Sequence, residues 1–477
     1  MHIPYALPPQ HHLHLTLTFT LHTQPFAATY VGPFALLPRR PTVSPFAHFA
    51  HFAPVAPSLL LLDSLFTELG PQLINLASVP SSNSTSASWT LFDNPSAWSS
   101  DAALLVWEQP AGVGFSRCRS GCPTSWNDTS SADANVAFLE AFWTKYPDAA
   151  TRDIFITGES YGGVYVPLLA ARLITKDRPG GPLVGIAVGN GCIGWSVSGG
   201  CGLDSLDNFV TVLEDRAPGV SRGVLGGVRT ACDDGQLISG KNATELSGTC
   251  RGAMRDLIVE VGAYNEYHWG SPCGPYGQGN WGDGRTYTCA NGVMDKFFAL
   301  AETQIAMNVI KPGDAPREWK AYDGDSPFYT ITADDVQPQM RALLAANVSV
   351  LVYNGLMDTA VPNVGAEKWV PRVAGAGVAE ARRKWGARPM VGPMGGAMEG
   401  ASSTHDTPDL EMAGEVTVYA SGLTYVTVEG AGHLVPADRP VAAHTMLTHW
   451  MSGEPLPPYT GKTCQRLWLG RGYGDFC

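Results

Sequence analysis

At 477 residues the chain is long enough for one large domain with insertions or for two domains, and 44% hydrophobic residues with 10% aromatics suffice for a substantial core. A formal net charge of −12 leaves no electrostatic footprint for nucleic acid or an anionic membrane, and no apolar run of about 18 residues exists to cross one. Charged residues make up only 16%, while 53 glycines and 36 prolines describe a loop-rich, compact enzyme.

The chain opens on a compositional break. The first 62 residues contain no Asp or Glu, the remaining 415 contain all 43, and seven of the twelve histidines lie in the same leader. It does not read as a signal peptide, because it lacks a basic start and His and Pro interrupt every apolar stretch. A transit peptide would be richer in Arg and Ser. The histidines could be imagined as a metal tract, but residues 1–62 are read as a disordered, atypical leader, foreign or mistranslated in origin.

From Asp63 the rhythm changes. Strand-like runs stand at Ala102–Trp107, Asp153–Thr157, Leu183–Val188, Val348–Tyr353 and Leu423–Val428, and helical stretches such as Asp133–Tyr146 and Val441–Met451 separate several of them. This alternation predicts an α/β fold with a mostly parallel central sheet and helices on both faces. Between about 195 and 340 the rhythm fades into Cys-, Gly- and Trp-rich sequence. The expected organisation is therefore a core in two parts, 63–195 and 341–477, interrupted by a cap at 196–340.

Ten cysteines, none in a Cys-x-x-Cys pair, fall largely in Gly-rich loops and suit short disulfide-closed loops in an oxidising compartment. Sequons at Asn83, Asn127, Asn242 and Asn347 point the same way. Together they place the chain in the secretory pathway. No Gly-rich phosphate loop or ligand cluster is found, so no cofactor and no metal are expected.

The chemistry centres on Thr157-Gly158-Glu159-Ser160-Tyr161-Gly162-Gly163, directly after the apolar run Ile154-Phe155-Ile156. A serine bracketed by glycines between a strand and a helix (here Val164–Ile174) is the pattern of a nucleophile elbow. Ser160 then needs an imidazole to take its proton and a carboxylate to hold that imidazole in the right tautomer. Five histidines lie outside the leader: His268, His405, His433, His444 and His449. Only His433 follows a strand through a glycine-rich turn, Glu429-Gly430-Ala431-Gly432. Asp358 lies just past the strand Val350–Tyr353. The order Ser160, Asp358, His433, each past a strand, is that of an α/β-hydrolase triad.

At this point the sequence resembles the serine carboxypeptidases, α/β-hydrolases that remove C-terminal amino acids from peptides. The matching pieces are Phe66-Thr67-Glu68-Leu69-Gly70-Pro71, Asn94-Pro95-Ser96-Ala97-Trp98, and Trp107-Glu108-Gln109-Pro110-Ala111-Gly112-Val113-Gly114-Phe115-Ser116. The elbow, Tyr353-Asn354-Gly355 with Asp358, and Gly430-Ala431-Gly432-His433-Leu434-Val435-Pro436 come after them in family order. The resemblance implies peptide or protein C-termini as substrate. It also implies that Glu68 and Glu159 hydrogen-bond the terminal carboxylate, that the backbone N–H of Tyr161 serves an oxyanion hole, and that a vacuolar, lysosomal or extracellular location and a homodimer are open to the protein. A carboxylate can accept only from a protonated acid, so acid-favoured activity is expected. An acyltransferase using the same triad, or an impaired homologue kept for binding, are the alternatives.

Two departures stand out. Where the family carries Asn-Gly-Gly-Pro-Gly-Cys-Ser-Ser, whose glycine supplies the second oxyanion donor, this chain reads Pro54-Val55-Ala56-Pro57-Ser58-Leu59-Leu60-Leu61. The strands expected before that motif are not legible in the leader either. Leu434 stands where the family commonly has Met, in the leaving-residue pocket, so the preferred C-terminal residue does not carry over.

Overall fold

The computed structural model describes residues 64–74, 78–79, 89–117, 125–175, 180–239, 245–262, 264–271, 293–319, 329–389 and 410–461, together with the backbone of short strands at 35–36, 47–52, 465–468 and 473–476. Nine strands join one sheet: β1 (Ala35–Leu36), β2 (Ala47–Phe52), β3 (Ala103–Val106), β4 (Asp153–Glu159), β5 (Leu183–Gly189), β6 (Ser349–Gly355), β7 (Val378–Ala387), β8 (Glu411–Tyr419) and β9 (Leu423–Val428). Their spatial order is β1-β3-β2-β4-β5-β6-β9-β8-β7. The six strands from β3 to β9 in that order pair in parallel, and β1, β8 and β7 pair antiparallel at the two edges.

The central strands are apolar along their length because both faces are covered. Along β6, Val350 and Val352 enter one core with residues of the helices α1 (Asp128–Lys145), α2 (Gly162–Thr175), α6 (Gln337–Ala345) and α7 (Asn363–Ala374). Leu351 and Tyr353, pointing the other way by the strand's period of two, join Ala442, Ala443 and Met446 of α8 (Pro440–Ser452). Between β5 and β6, which are adjacent in the sheet, the helices α3 (Ser205–Arg216), α4 (Arg222–Ala231) and α5 (Gly248–Val261) build a separate core around Val210, Leu213, Val228 and Leu257. The Cys232–Cys250 disulfide ties it, and ion pairs from Asp207 to Lys368 of α7 (3.0 Å) and from Arg216 to Glu429, just past β9 (3.1 Å), fasten it to the main body.

The structure corrects the reading of the leader. Ala47–Phe52 is an inner strand, parallel to both β3 and β4, and Ala35–Leu36 pairs with β3 at the edge. Without β2, facing rows of N–H and C=O groups on β3 and β4 would go unpaired, a cost far larger than any compositional oddity. Ala47-His48-Phe49-Ala50-His51-Phe52 has no period-two pattern to mark a strand, and the acid-free composition masked it further. Helix α1 begins at Asp128, five residues before the expected start, because Asn127 and Ser130 form a capping box. The strands β7 and β8 escaped sequence reading. Glu380, Arg382, Arg383 and Lys384 break the apolar pattern in β7, and charged residues on an edge strand guard it against further pairing.

Candidate active site

Four neighbouring parallel strands, β4, β5, β6 and β9, deliver the site from their carboxyl ends. A backbone ladder continues past the sheet. The Ser160 N–H donates to the Gly189 carbonyl (2.9 Å), Asn190 N–H to Tyr353 (2.8 Å), and Met357 N–H to Ala431 (2.8 Å). The loops beyond the strands are thereby fixed relative to one another before any side chain is considered.

Ser160 sits at the turn from β4 into α2 with φ at 57°, in the left-handed region that non-glycine residues rarely occupy, and it is fully buried. Such strain, held by surrounding contacts, is the mark of an elbow. Its carbonyl accepts from Gly163 N–H (2.9 Å) and Cys192 N–H (2.8 Å). The requirement for glycine at 163 comes from close approach: a Cβ there would stand 2.1 Å from the Cys192 carbonyl oxygen. We expect Gly163→Ala to cost roughly 1–3 kcal/mol of stability, read as a lowered melting temperature. An unchanged melt would show that the elbow and the Cys192–Cys201 loop are not packed as described.

Asp358 and His433 meet as the sequence order predicts. His433 Nδ1 lies 2.7 Å from Asp358 Oδ2, with both side chains completely buried. A carboxylate only accepts, so Nδ1 carries the proton and Nε2 is left as the basic nitrogen. Nε2 has no hydrogen-bond partner among the described residues. Asp358 is held from every side: Asn190 Nδ2 donates to Oδ2 (2.7 Å), Ala360 N–H to Oδ1 (2.8 Å), and Val361 N–H reaches both oxygens at 3.2 Å. Asn190 Oδ1 in turn accepts from Gly355 N–H (3.0 Å).

Asn190 was not singled out from sequence. Its signal is a polar residue between Gly189 and Gly191 at the end of a buried strand, with φ at 40°. Tyr267, in the segment 264–271, was also missed. Its ring stacks on the His433 imidazole at 4.7 Å and 22°, and its carbonyl accepts the His433 N–H at 2.6 Å. Nothing in the loop sequence around Tyr267 announces that contact.

Glu159 precedes the nucleophile and is fully buried, and among the described residues neither carboxyl oxygen has a hydrogen-bond partner of ordinary geometry. Burial pushes its carboxyl well above the usual range, the charges of Glu68, Asp358 and Asp438 push it further, and the Val435 amide offsets part of this. Glu68 is 3% exposed on the short helix Leu65–Leu69. The side chain of Asn94 joins two of the distant motifs, its Nδ2 donating to the carbonyls of Glu68 (3.0 Å) and Gly70 (2.9 Å). The phenol of Tyr353, buried and raised by burial and then by Glu159 and Glu68, belongs to the same acidic neighbourhood.

The remaining expected residues fall in varied places. Tyr161 is 4% exposed at the start of α2. Asn347 is exposed on the turn before β6, whereas Asn127 is half-buried with its side-chain oxygen committed to the cap of α1. Asn83, Asn242, His405 and the departure at Pro54–Leu61 lie outside the described residues. His444 pairs with Asp101 at 2.6 Å, away from the triad. Among the described residues no group of His, Cys, Asp and Glu could hold a metal, and no helix is long and apolar enough to cross a membrane.

Comparison with known proteins shows the family to which the chain belongs. Residues 60–453 match the serine carboxypeptidase family. The chain belongs to that family. It is 26% identical over 413 residues to serine carboxypeptidase ctsa-4.1 of Caenorhabditis elegans, covering 83% of this chain and 82% of that protein. It is likewise 26% identical over 405 residues to serine carboxypeptidase-like 33 of Arabidopsis thaliana, covering 79% and 76%. Among solved structures it is similar to Kex1, a prohormone-processing carboxypeptidase from Saccharomyces cerevisiae, with a TM-score of 0.63 over 93% of this chain and 92% of that one at 17% identity. That likeness shows the fold, and the expected α/β-hydrolase architecture is the one found.

Proposed function

We propose that this member of the serine carboxypeptidase family releases the C-terminal residue of peptides at acidic pH, with Ser160 as nucleophile, His433 as base and Asp358 as its orienting carboxylate. Ser160 Oγ attacks the last peptide carbonyl and gives its proton to His433 Nε2. The C–N bond breaks, and the leaving amine takes that proton, leaving an ester on Ser160. Water then attacks the ester, passes a proton to Nε2, and the acid product departs as Ser160 regains its hydrogen. The Tyr161 N–H stabilises the oxyanion. Residues 196–340 are read as a cap inserted into this core.

The observation that carries the reading is the buried carboxyl of Glu159 beside Ser160, raised by burial and by Glu68. A plain esterase has no use for a protonated acid there, whereas a terminal carboxylate needs a donor. The direction of the shift sets the sign. The proton on Glu159 is present below its raised pKa and lost as pH climbs through it, so the grip on the carboxylate weakens towards alkaline pH. The two disulfides among the described residues and the exposed sequon at Asn347 accord with a secreted, vacuolar or lysosomal setting.

Turnover of one peptide with a free and with an amidated C-terminus tests this, measured from acid to alkaline pH. The free acid should be cleaved at least about tenfold faster, as loss of a charge-assisted hydrogen bond implies. Glu159→Gln should flatten the rise of KM with pH, because the amide remains a donor throughout. Equal cleavage of both peptides, or a KM profile unaltered by the substitution, would remove Glu159 from the role.

A further inference from the structure

We propose that Asp128 is a positioning residue that fixes Tyr161, and through it the backbone N–H assigned to the oxyanion hole. This rests on the reading of Ser160 as nucleophile. Asp128 is 1% exposed and is the first residue of α1, where an acidic side chain ordinarily serves its own helix. Here the helix end is already capped by Asn127 and Ser130. The carboxylate turns instead to other segments. Oδ1 accepts from the Tyr161 hydroxyl (2.7 Å) and the Tyr329 hydroxyl (3.0 Å). Oδ2 accepts from the Thr332 N–H, the Thr332 hydroxyl (3.1 Å) and the Ala333 N–H (2.8 Å).

These contacts bind the residue after the nucleophile to the segment through which the chain returns from the cap. The rings of Tyr161, Tyr165 and Tyr329 pack edge to face, with centroids 4.9, 6.3 and 6.0 Å apart, so the phenol of Tyr161 has little freedom once its hydroxyl is held. The backbone between Ser160 and Gly162 is the element that carries the donor. With Ser160 held at φ 57°, a small rotation of the Tyr161 peptide plane would swing that N–H away from the oxyanion. A carboxylate buried with donors on both oxygens is a rigid post for the ring.

A double-mutant cycle tests the inference. Asp128→Ala, Tyr161→Phe and the pair would be compared by the rate constant for fluorophosphonate labelling of Ser160, by kcat and KM on a free-acid peptide, and by thermal unfolding. Each single change should slow labelling and kcat by about 10- to 100-fold with KM little changed. The pair should be no slower than the worse single variant, since both remove one tether. Tyr161→Phe removes only the hydroxyl, so a folded variant that lacks the tether is available. Asp128→Asn, whose amide can still bond that hydroxyl, should lose far less than Asp128→Ala. Labelling at the wild-type rate, additive losses, or losses matched only by unfolding would overturn the inference while leaving the serine reading in place. A wild-type protein that does not label at all would overturn both.

Discussion

Ser160→Ala should abolish fluorophosphonate labelling and lower peptide turnover by roughly 10⁶-fold, the scale seen when a triad that works as a unit loses its nucleophile, while the protein stays folded. The second half of that expectation comes from the backbone. Serine already occupies φ 57°, and alanine has a Cβ of the same kind, so the steric cost of the left-handed turn is nearly the same for both. The bonds that define the elbow are main-chain ones, from Ser160 N–H to Gly189 and from Gly163 and Cys192 to the Ser160 carbonyl, and the substitution leaves them in place. The measurement is therefore a pair: labelling and turnover on one side, the melting temperature on the other. Labelling that survived the change would point to a different nucleophile and end the assignment.

The parts of the molecule that were legible in the sequence share a physical reason. A buried parallel strand must be apolar along its whole length, so β4, β5, β6 and β9 announce themselves, and a turn that demands glycine marks the functional residue beside it. That is why Ser160, Asp358 and His433 could be placed past strands before their distances were known. β2 carried its evidence in backbone pairing, which composition does not encode, and β7 was hidden by edge charges. Asn190 and Tyr267 act through contacts between segments 168 and 166 residues from Asp358 and His433 in the chain, respectively, and no local pattern reports such a contact. Asp128 was read only as part of a sequon, because its neighbours Asn127 and Thr129 fit one, while its partners Tyr161 and Tyr329 lie far along the chain.

Asp358→Asn should reduce turnover by about 10⁴-fold, the scale of a triad carboxylate replaced by its amide, and also lower stability by roughly 1–3 kcal/mol. Both effects come from the same count of donors. The two oxygens of Asp358 face only donors: Asn190 Nδ2 and His433 Nδ1 at Oδ2, and the amides of Ala360 and Val361 at Oδ1. A carboxamide has one NH2, and either orientation sets it against one of those groups. Turned towards His433, it makes Nδ1 an acceptor, so the imidazole proton moves to Nε2 and the base can no longer receive the proton of Ser160. It also opposes the Nδ2 of Asn190, which cannot turn away without giving up the Gly355 N–H. Turned the other way, it opposes two backbone donors that have no room to move. Each choice leaves a buried group unpaired, so a catalytic loss without a stability loss would contradict the geometry at Asn190 and Val361. Asn190→Ala separates the two effects: it frees one lobe of Asp358 Oδ2 and keeps the Nδ1 proton in place, so turnover should fall far less than with Asp358→Asn. An equal fall in both variants would mean that Asn190, rather than the imidazole tautomer, controls the site.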